Sequence, residues 1–201
     1  MILLFLACTG AEETPAASDD TTDTPTDTLE DTDECVPLGA LFFDLGDTLV
    51  SEGDDGLHAA TPEALALLDA LSKRDWPLGV ITNVPAGWER SDLEALLADP
   101  SILDQFEVVM LSSQATQPKP DPIIFTEALA LLADPPDIAH VAFITEEATH
   151  LADADPPTQG AQAAGMIGIH LSTEGGTLAD YTLAPDAMAS LADAPWLDCL
   201  E

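Results

Sequence analysis

A chain of 201 residues, 46% of them apolar, is long enough for one domain with a real core. Its 38 acidic residues face only 4 Lys and Arg, a formal net charge of -34, which excludes a basic face for nucleic acid. The same field repels polyanions and is best tolerated where salt screens it, so a phosphate site in this chain needs local positive charge.

Residues 1–8, Met-Ile-Leu-Leu-Phe-Leu-Ala-Cys, are apolar and end in a small residue and a cysteine. They resemble the end of a bacterial lipoprotein signal, with Cys8 as the lipidated residue. The run is shorter than an ordinary signal core, lacks a Lys/Arg region, and is too short to span a bilayer. Residues 9–37 hold ten of the acids amid Thr, Ser, Ala and Pro, a composition that cannot bury apolar area and reads as a disordered linker. A folded domain is expected over 38–201. Together these features imply a membrane tether through Cys8 and a cell-envelope location, periplasmic or surface; without a signal the protein would be cytoplasmic. Cys35 and Cys199 bracket the domain, and in an exported protein they could form a disulfide joining its ends; two unrelated thiols is the other reading.

From Gly39 onward strands and helices alternate. Leu41-Phe42-Phe43 reads as a buried strand over Ala40–Phe43, running into Asp44-Leu45-Gly46-Asp47-Thr48, a turn of carboxylates. Thr61 caps a helix with Pro62 at its first position, continuing through Ser72. Leu78–Ile81 is a second strand, and Ser91-Asp92-Leu93-Glu94 carries a capping-box pattern for a helix reaching Ala98. Glu107–Leu111 is a third strand, followed by a helix over Ile123–Leu132. His140–Ile144 is a fourth strand, a short helix covers Ala161–Ala164, and Met166–Ile169 is a fifth strand. A last helix lies within Pro185–Leu197. This alternation predicts a three-layer α/β, Rossmann-like domain with a five-stranded parallel sheet.

The strand ends collect polar residues: Asp44, Asp47 and Thr48; Thr82 and Asn83; Ser112 with Lys119 nearby; Glu146 and Glu147. In an open parallel sheet, chemistry sits at the carboxyl ends of the strands. Asp44 could serve as a carboxylate nucleophile, with Lys119, Thr82 and Asn83 stabilising the transferred group. Asp44 and Glu146 could give hard oxygen ligands to Mg²⁺. A solvated lysine between prolines and an acidic turn after a core strand are the plainer readings of the same residues.

These motifs resemble those of the haloacid dehalogenase-like hydrolase superfamily. Leu41–Leu49 is similar to its first motif and Val80-Ile81-Thr82-Asn83 to its second. Gln117-Pro118-Lys119-Pro120-Asp121-Pro122-Ile123-Ile124-Phe125 is similar to its third, and Gly160-Ala161-Gln162-Ala163-Ala164-Gly165-Met166 to the segment before its last core strand. The resemblance implies a Mg²⁺-dependent phosphohydrolase forming an aspartyl-phosphate on Asp44. Its metal would be held by Asp44, the Gly46 carbonyl, Glu146 and Glu147 or Asp153. Its substrate would be a phosphorylated small molecule or a larger phosphosubstrate.

Two departures bear on activity. The general acid/base Asp of the family falls at Gly46, a loss commonly worth ~10²–10⁴-fold, leaving Asp47, one residue on, as the substitute. Thr145-Glu146 stands where the family has Gly-Asp. Only 38 positions separate Asp44 from Thr82, which leaves no room for a sizeable cap domain. The alternatives are a catalytically degraded binding or structural module on a tethered lipoprotein, and a dehalogenase with Arg90 as its halide cradle.

Overall fold

Alternation along the first strand sets the layers. In the computed structural model, β1 (Ala40–Phe43) is wholly buried. Ala40 and Phe42 pack into one apolar cluster, and Leu41 and Phe43 into another on the opposite face. A strand covered on both faces has no polar side to show, which is why its sequence reads as a continuous apolar run. The structure describes residues 37–74, 76–174 and 178–193. The chain divides into two units, Met1–Thr32 and Asp33–Glu201, and every described residue belongs to the second. The acylation of Cys8, the Cys35–Cys199 pairing and nearly all of the linker therefore lie outside the described residues.

The main sheet has the order β5-β4-β1-β6-β7-β8 with every pairing parallel. Its further strands are β4 (Leu78–Thr82), β5 (Val108–Leu111), β6 (Val141–Thr145), β7 (Ile167–Leu171) and β8 (Tyr181–Leu183). The sheet thus has six strands where five are expected. The sixth is three residues long and sits at an edge, too short to carry a period of its own. One face holds α1 (Pro62–Leu71) and the 3₁₀ turns of Pro185–Asp193; the other holds α3 (Ile123–Leu129) and α4 (Gly160–Ala164). Phe125 and Phe143 meet edge to face at 5.0 Å in the second layer. Burying each such side chain contributes about 1.5–3 kcal/mol.

Local chemistry accounts for the remaining differences. Thr61 caps α1 by accepting from the Ala64 amide at 3.1 Å, as its sequence predicts. The helix α2 (Arg90–Glu94) begins earlier than the Ser91 pattern suggests, because the Glu89 amide donates to Asp92 Oδ2 at 2.8 Å, and it ends before Ala98. An antiparallel hairpin of β2 (Val50–Glu52) and β3 (His58–Ala60), absent from the expected elements, fills the space after the first motif. Its His58 amide donates to the Leu96 carbonyl at 2.8 Å, and the Ala98 amide returns a bond to His58 at 2.8 Å. The described residues contain no sizeable cap between Asp44 and Thr82, only this hairpin and α1.

Candidate active site

Strand order determines where the polar residues meet. The chain leaves β1 for β4 and β5 on one side, then crosses to β6, β7 and β8 on the other, so the order reverses at β1. A crevice opens at such a point, outside the carboxyl ends of the strands. Asp44 follows β1, Thr82 closes β4, Lys119 lies in the loop after β5, and Thr145 closes β6. All four are buried.

Asp44 is held by four donors. Its Oδ1 accepts from the Leu45 amide at 2.8 Å. Its Oδ2 lies 2.6 Å from Lys119 Nζ, 3.0 Å from His150 Nδ1 and 3.3 Å from Thr145 Oγ1. A carboxylate only accepts, so Nδ1 of His150 carries the proton in that contact. Burial pushes the Asp44 carboxyl up, but the His150 hydrogen bond and the Lys119 charge outweigh it, leaving the group below its ordinary value. Asp44 is therefore an anion at neutral pH.

Lys119 is fixed as firmly as its partner. Its side chain is fully buried, and Nζ also donates to the Ile81 carbonyl at 2.8 Å. Burial lowers the ammonium from its ordinary value against the opposing pull of Asp44 and Glu146. Nζ sits 5.3 Å over the Phe143 ring, a favourable face for a cation. Asn83 orients the residue from behind: its Oδ1 accepts from the Lys119 amide and its Nδ2 donates to the Lys119 carbonyl, both at 3.0 Å. Asn83 acts on Lys119 through the backbone and is a positioning residue.

The other expected site residues divide. The Thr48 hydroxyl donates to Glu146 Oε2, and the Glu146 amide returns a bond to Thr48 Oγ1 at 3.2 Å. His170 Nε2 lies 3.0 Å from the Glu146 carbonyl and steadies the same loop. Glu147 is turned elsewhere, its Oε1 accepting from Thr149 Oγ1 at 2.9 Å and from the Thr149 amide at 3.2 Å. Asp153 closes its own loop, accepting from Thr158 and Gln159. Asp47 is exposed with φ 56°, a left-handed conformation that Asp adopts more readily than most residues. It lines a cavity with Thr48, Glu63, Glu146 and Asp186, whereas Gly46 and Thr82 line another with Leu45, Asn83 and Trp88. Arg90 is half-exposed and paired with Glu94 at 2.7 Å and Asp104 at 3.2 Å, the geometry of a surface ion pair rather than a halide cradle.

His150 is the residue that sequence reasoning missed. One of four histidines, it stands five residues beyond the end of β6, where the sequence pattern points only to the carboxylates Glu146 and Glu147.

With His150 set against Asp44 and Glu147 turned to Thr149, the side chains as placed do not present a formed Mg²⁺ site. The ion needs near-octahedral oxygen donors at about 2.0–2.1 Å, and imidazole is not its ligand of choice. Asp44 and Glu146 supply two carboxylates, but Glu147 is capping a turn and an imidazole stands against Asp44. Among the described residues no three His, Cys, Asp or Glu side chains converge to hold a metal. What the arrangement can do is present an anionic oxygen beside a buried ammonium and an imidazole, the parts needed to attack an electrophile and to neutralise an oxyanion.

Comparison with known proteins agrees with this architecture. No curated protein matches the sequence. A phosphatase of the haloacid dehalogenase-like superfamily from Thermococcus onnurineus superposes with TM-score 0.58 at 17% identity, covering 77% of this chain and 96% of that one. A hydrolase of the same superfamily from Ehrlichia chaffeensis gives 0.59 at 14% identity, covering 78% and 97%. An L-2-haloacid dehalogenase gives 0.61 at 12% identity, covering 79% and 100%. At these identities the likeness is one of fold. The model of haloacid dehalogenase-like hydrolases matches residues 41–169, which include the whole Asp44 site, and the chain belongs to that family.

Proposed function

We propose that this chain hydrolyses phosphate monoesters through Asp44. The carboxylate attacks phosphorus in line, the P–O ester bond breaks and the leaving oxygen takes its proton from solvent water, and a second water then cleaves the aspartyl-phosphate to phosphate and free Asp44. One observation carries this reading: a buried, anionic Asp44 at the reversal of strand order, with the Lys119 ammonium 2.6 Å from the oxygen that would receive the phosphoryl group. Lys119 balances the charge of that group, and Thr145 and the Leu45 amide orient the nucleophile. The cavity beside Gly46 and Thr82 has a volume of ≈ 180 Å³ and a largely apolar wall of Val50, Trp88, Leu93 and Leu97. A cavity of about 150 Å³ holds benzene, so this one supports a compact, apolar alcohol as leaving group.

A second reading, an oxyanion-binding module without turnover, is favoured by Gly46 at the proton donor's place and by Asp47 on the wall of a different cavity. Turnover of a panel of aryl and alkyl phosphates by wild type and Asp44→Asn, with Mg²⁺ and with EDTA, separates the two. Release of phosphate by wild type at least a hundredfold above Asp44→Asn supports the hydrolase. No release above Asp44→Asn on any ester, with Mg²⁺ or without, leaves the binding module. The Mg²⁺ arm tests the dependence that the family resemblance implies. A place at the cell envelope, tethered through an acylated Cys8, completes the proposal: the acidic leader would hold the domain in an aqueous compartment where exogenous phosphoesters are met.

A further inference from the structure

Hydrogen-bond donors reach the Asp44 site from two neighbouring loops. Lys119 Nζ and His150 Nδ1 converge on one oxygen, Asp44 Oδ2, at 2.6 and 3.0 Å. They come from opposite sides of β1, one from the loop after β5 and the other from the turn after β6. The carboxylates around them are engaged elsewhere: Glu146 with Thr48, Glu147 with Thr149, Asp153 with Thr158. A divalent cation would have to displace the imidazole from Asp44 and find its further ligands in water.

We infer that His150 and Lys119 together form a metal-independent oxyanion site, in which the imidazole N–H and the ammonium hold the tetrahedral anion that Asp44 serves. This deepens the phosphohydrolase reading and rests on it for the identity of the anion. His150 touches the nucleophile and would contact the transferred phosphoryl group. Its side chain is 16% exposed, enough to meet a ligand entering from solvent. Lys119 and Asp44 stay buried behind it. Given a net charge of -34, such a pair also explains how an anion could be held here at all, since the ammonium and the imidazole N–H are local donors set at the strand ends, against the Asp44 carboxylate.

The test uses the full chain with inorganic phosphate and Mg²⁺ as separate probes, by isothermal titration and ³¹P NMR. Wild type is expected to bind phosphate equally well in EDTA and in Mg²⁺, and to give no saturable heat with Mg²⁺ alone. His150→Gln should weaken phosphate binding about tenfold while its thermal unfolding stays near that of wild type, the loss expected for one charge-assisted hydrogen bond. His150→Asp, which places a third carboxylate beside Asp44 and Glu146, should lose phosphate in EDTA and gain a saturable Mg²⁺ heat. Stoichiometric Mg²⁺ binding by wild type, or phosphate binding that requires Mg²⁺, overturns the inference and leaves the hydrolase reading intact. Metal-free phosphate binding without turnover of any ester supports the inference and sinks the hydrolase reading instead. Unchanged phosphate affinity in folded His150→Gln also overturns it.

Discussion

Replacing Lys119 by Met removes the charge and keeps most of the side-chain volume, which isolates what the ammonium does. Asp44 loses its nearest partner, at 2.6 Å, and the Ile81 carbonyl loses a donor at 2.8 Å. Removing one member of a buried pair typically costs ~3–5 kcal/mol. Asp44 keeps Leu45, Thr145 and His150, and the cost of burying the ammonium is relieved, so the lower end applies, about 3 kcal/mol. For a domain of this size that is a fall of roughly 6–12 °C in Tm. The assay is urea unfolding of wild type, Lys119→Met, Asp44→Asn and the double variant, which gives the coupling free energy directly. Lys119→Met should cost at least 1.5 kcal/mol less in the Asp44→Asn background, an order-of-magnitude figure for a close buried pair. The pH dependence has a definite sign. Asp44 lies below its ordinary value of 3.8 when folded, so its contribution is complete above that value and lost as pH falls through the lower folded one. A coupling below about 0.5 kcal/mol at neutral pH would refute the assignment of Lys119 as the counter-charge.

Four further outcomes are expected. Gly46→Asp should fold normally, because an added Cβ there meets nothing within 4 Å. If the missing proton donor limits turnover, it should raise kcat on alkyl phosphates by about tenfold or more, read as phosphate release against Gly46→Asn; equal rates would place the limit elsewhere. Gly79→Ala should destabilise by about 1–3 kcal/mol in urea unfolding, since its Cβ would lie 2.2 Å from the Phe42 ring in the centre of the sheet, and an unchanged midpoint would contradict that packing. The Asp153 carboxyl, pulled to about 2 by the Thr158 hydroxyl and the Thr158 and Gln159 amides, should titrate near that value by NMR. Because the shift is downward, its loop is tightest above 3.8 and loosens as pH falls toward 2, and a midpoint at 3.8 would count against those bonds. Intact-mass analysis of the chain made in a bacterial host should find an acylated N-terminal Cys8, and retention of residues 1–7 would end the lipoprotein proposal.

Much of the fold was written in the apolar runs. Leu41-Phe42-Phe43 and Val80-Ile81 are buried on both faces, and such runs announce central parallel strands whatever the loops do. The edge strand β8 and the β2–β3 hairpin were not legible, because three residues carry no period and their pairing is set by tertiary contacts such as His58 with Leu96. At the site, Asp44 and Lys119 were readable because a carboxylate after a strand and a lysine between prolines are unusual local choices. The contact with His150 was not. It depends on a turn after β6 whose direction follows from Glu147 capping the Thr149 amide, a preference invisible in composition. The sequence points to Asn83 as a ligand to the transferred group, yet its amide is spent on the Lys119 backbone. Residue type gave the chemistry available at that position but not the partner.

The reciprocal bonds between Asn83 and the Lys119 backbone tie the loop after β5 to the end of β4, and the ammonium ties it again to Ile81 within that strand. Lys119 therefore moves with the sheet and not with its own loop. Opening the surrounding loop to solvent would leave the ammonium where it is, and only a slip of β4 against β1 would part it from Asp44. The charge pair thus has the durability of the strand register, so amide exchange at Lys119 should keep pace with the slow exchange of Ile81 and Phe43, the last part of the domain to yield.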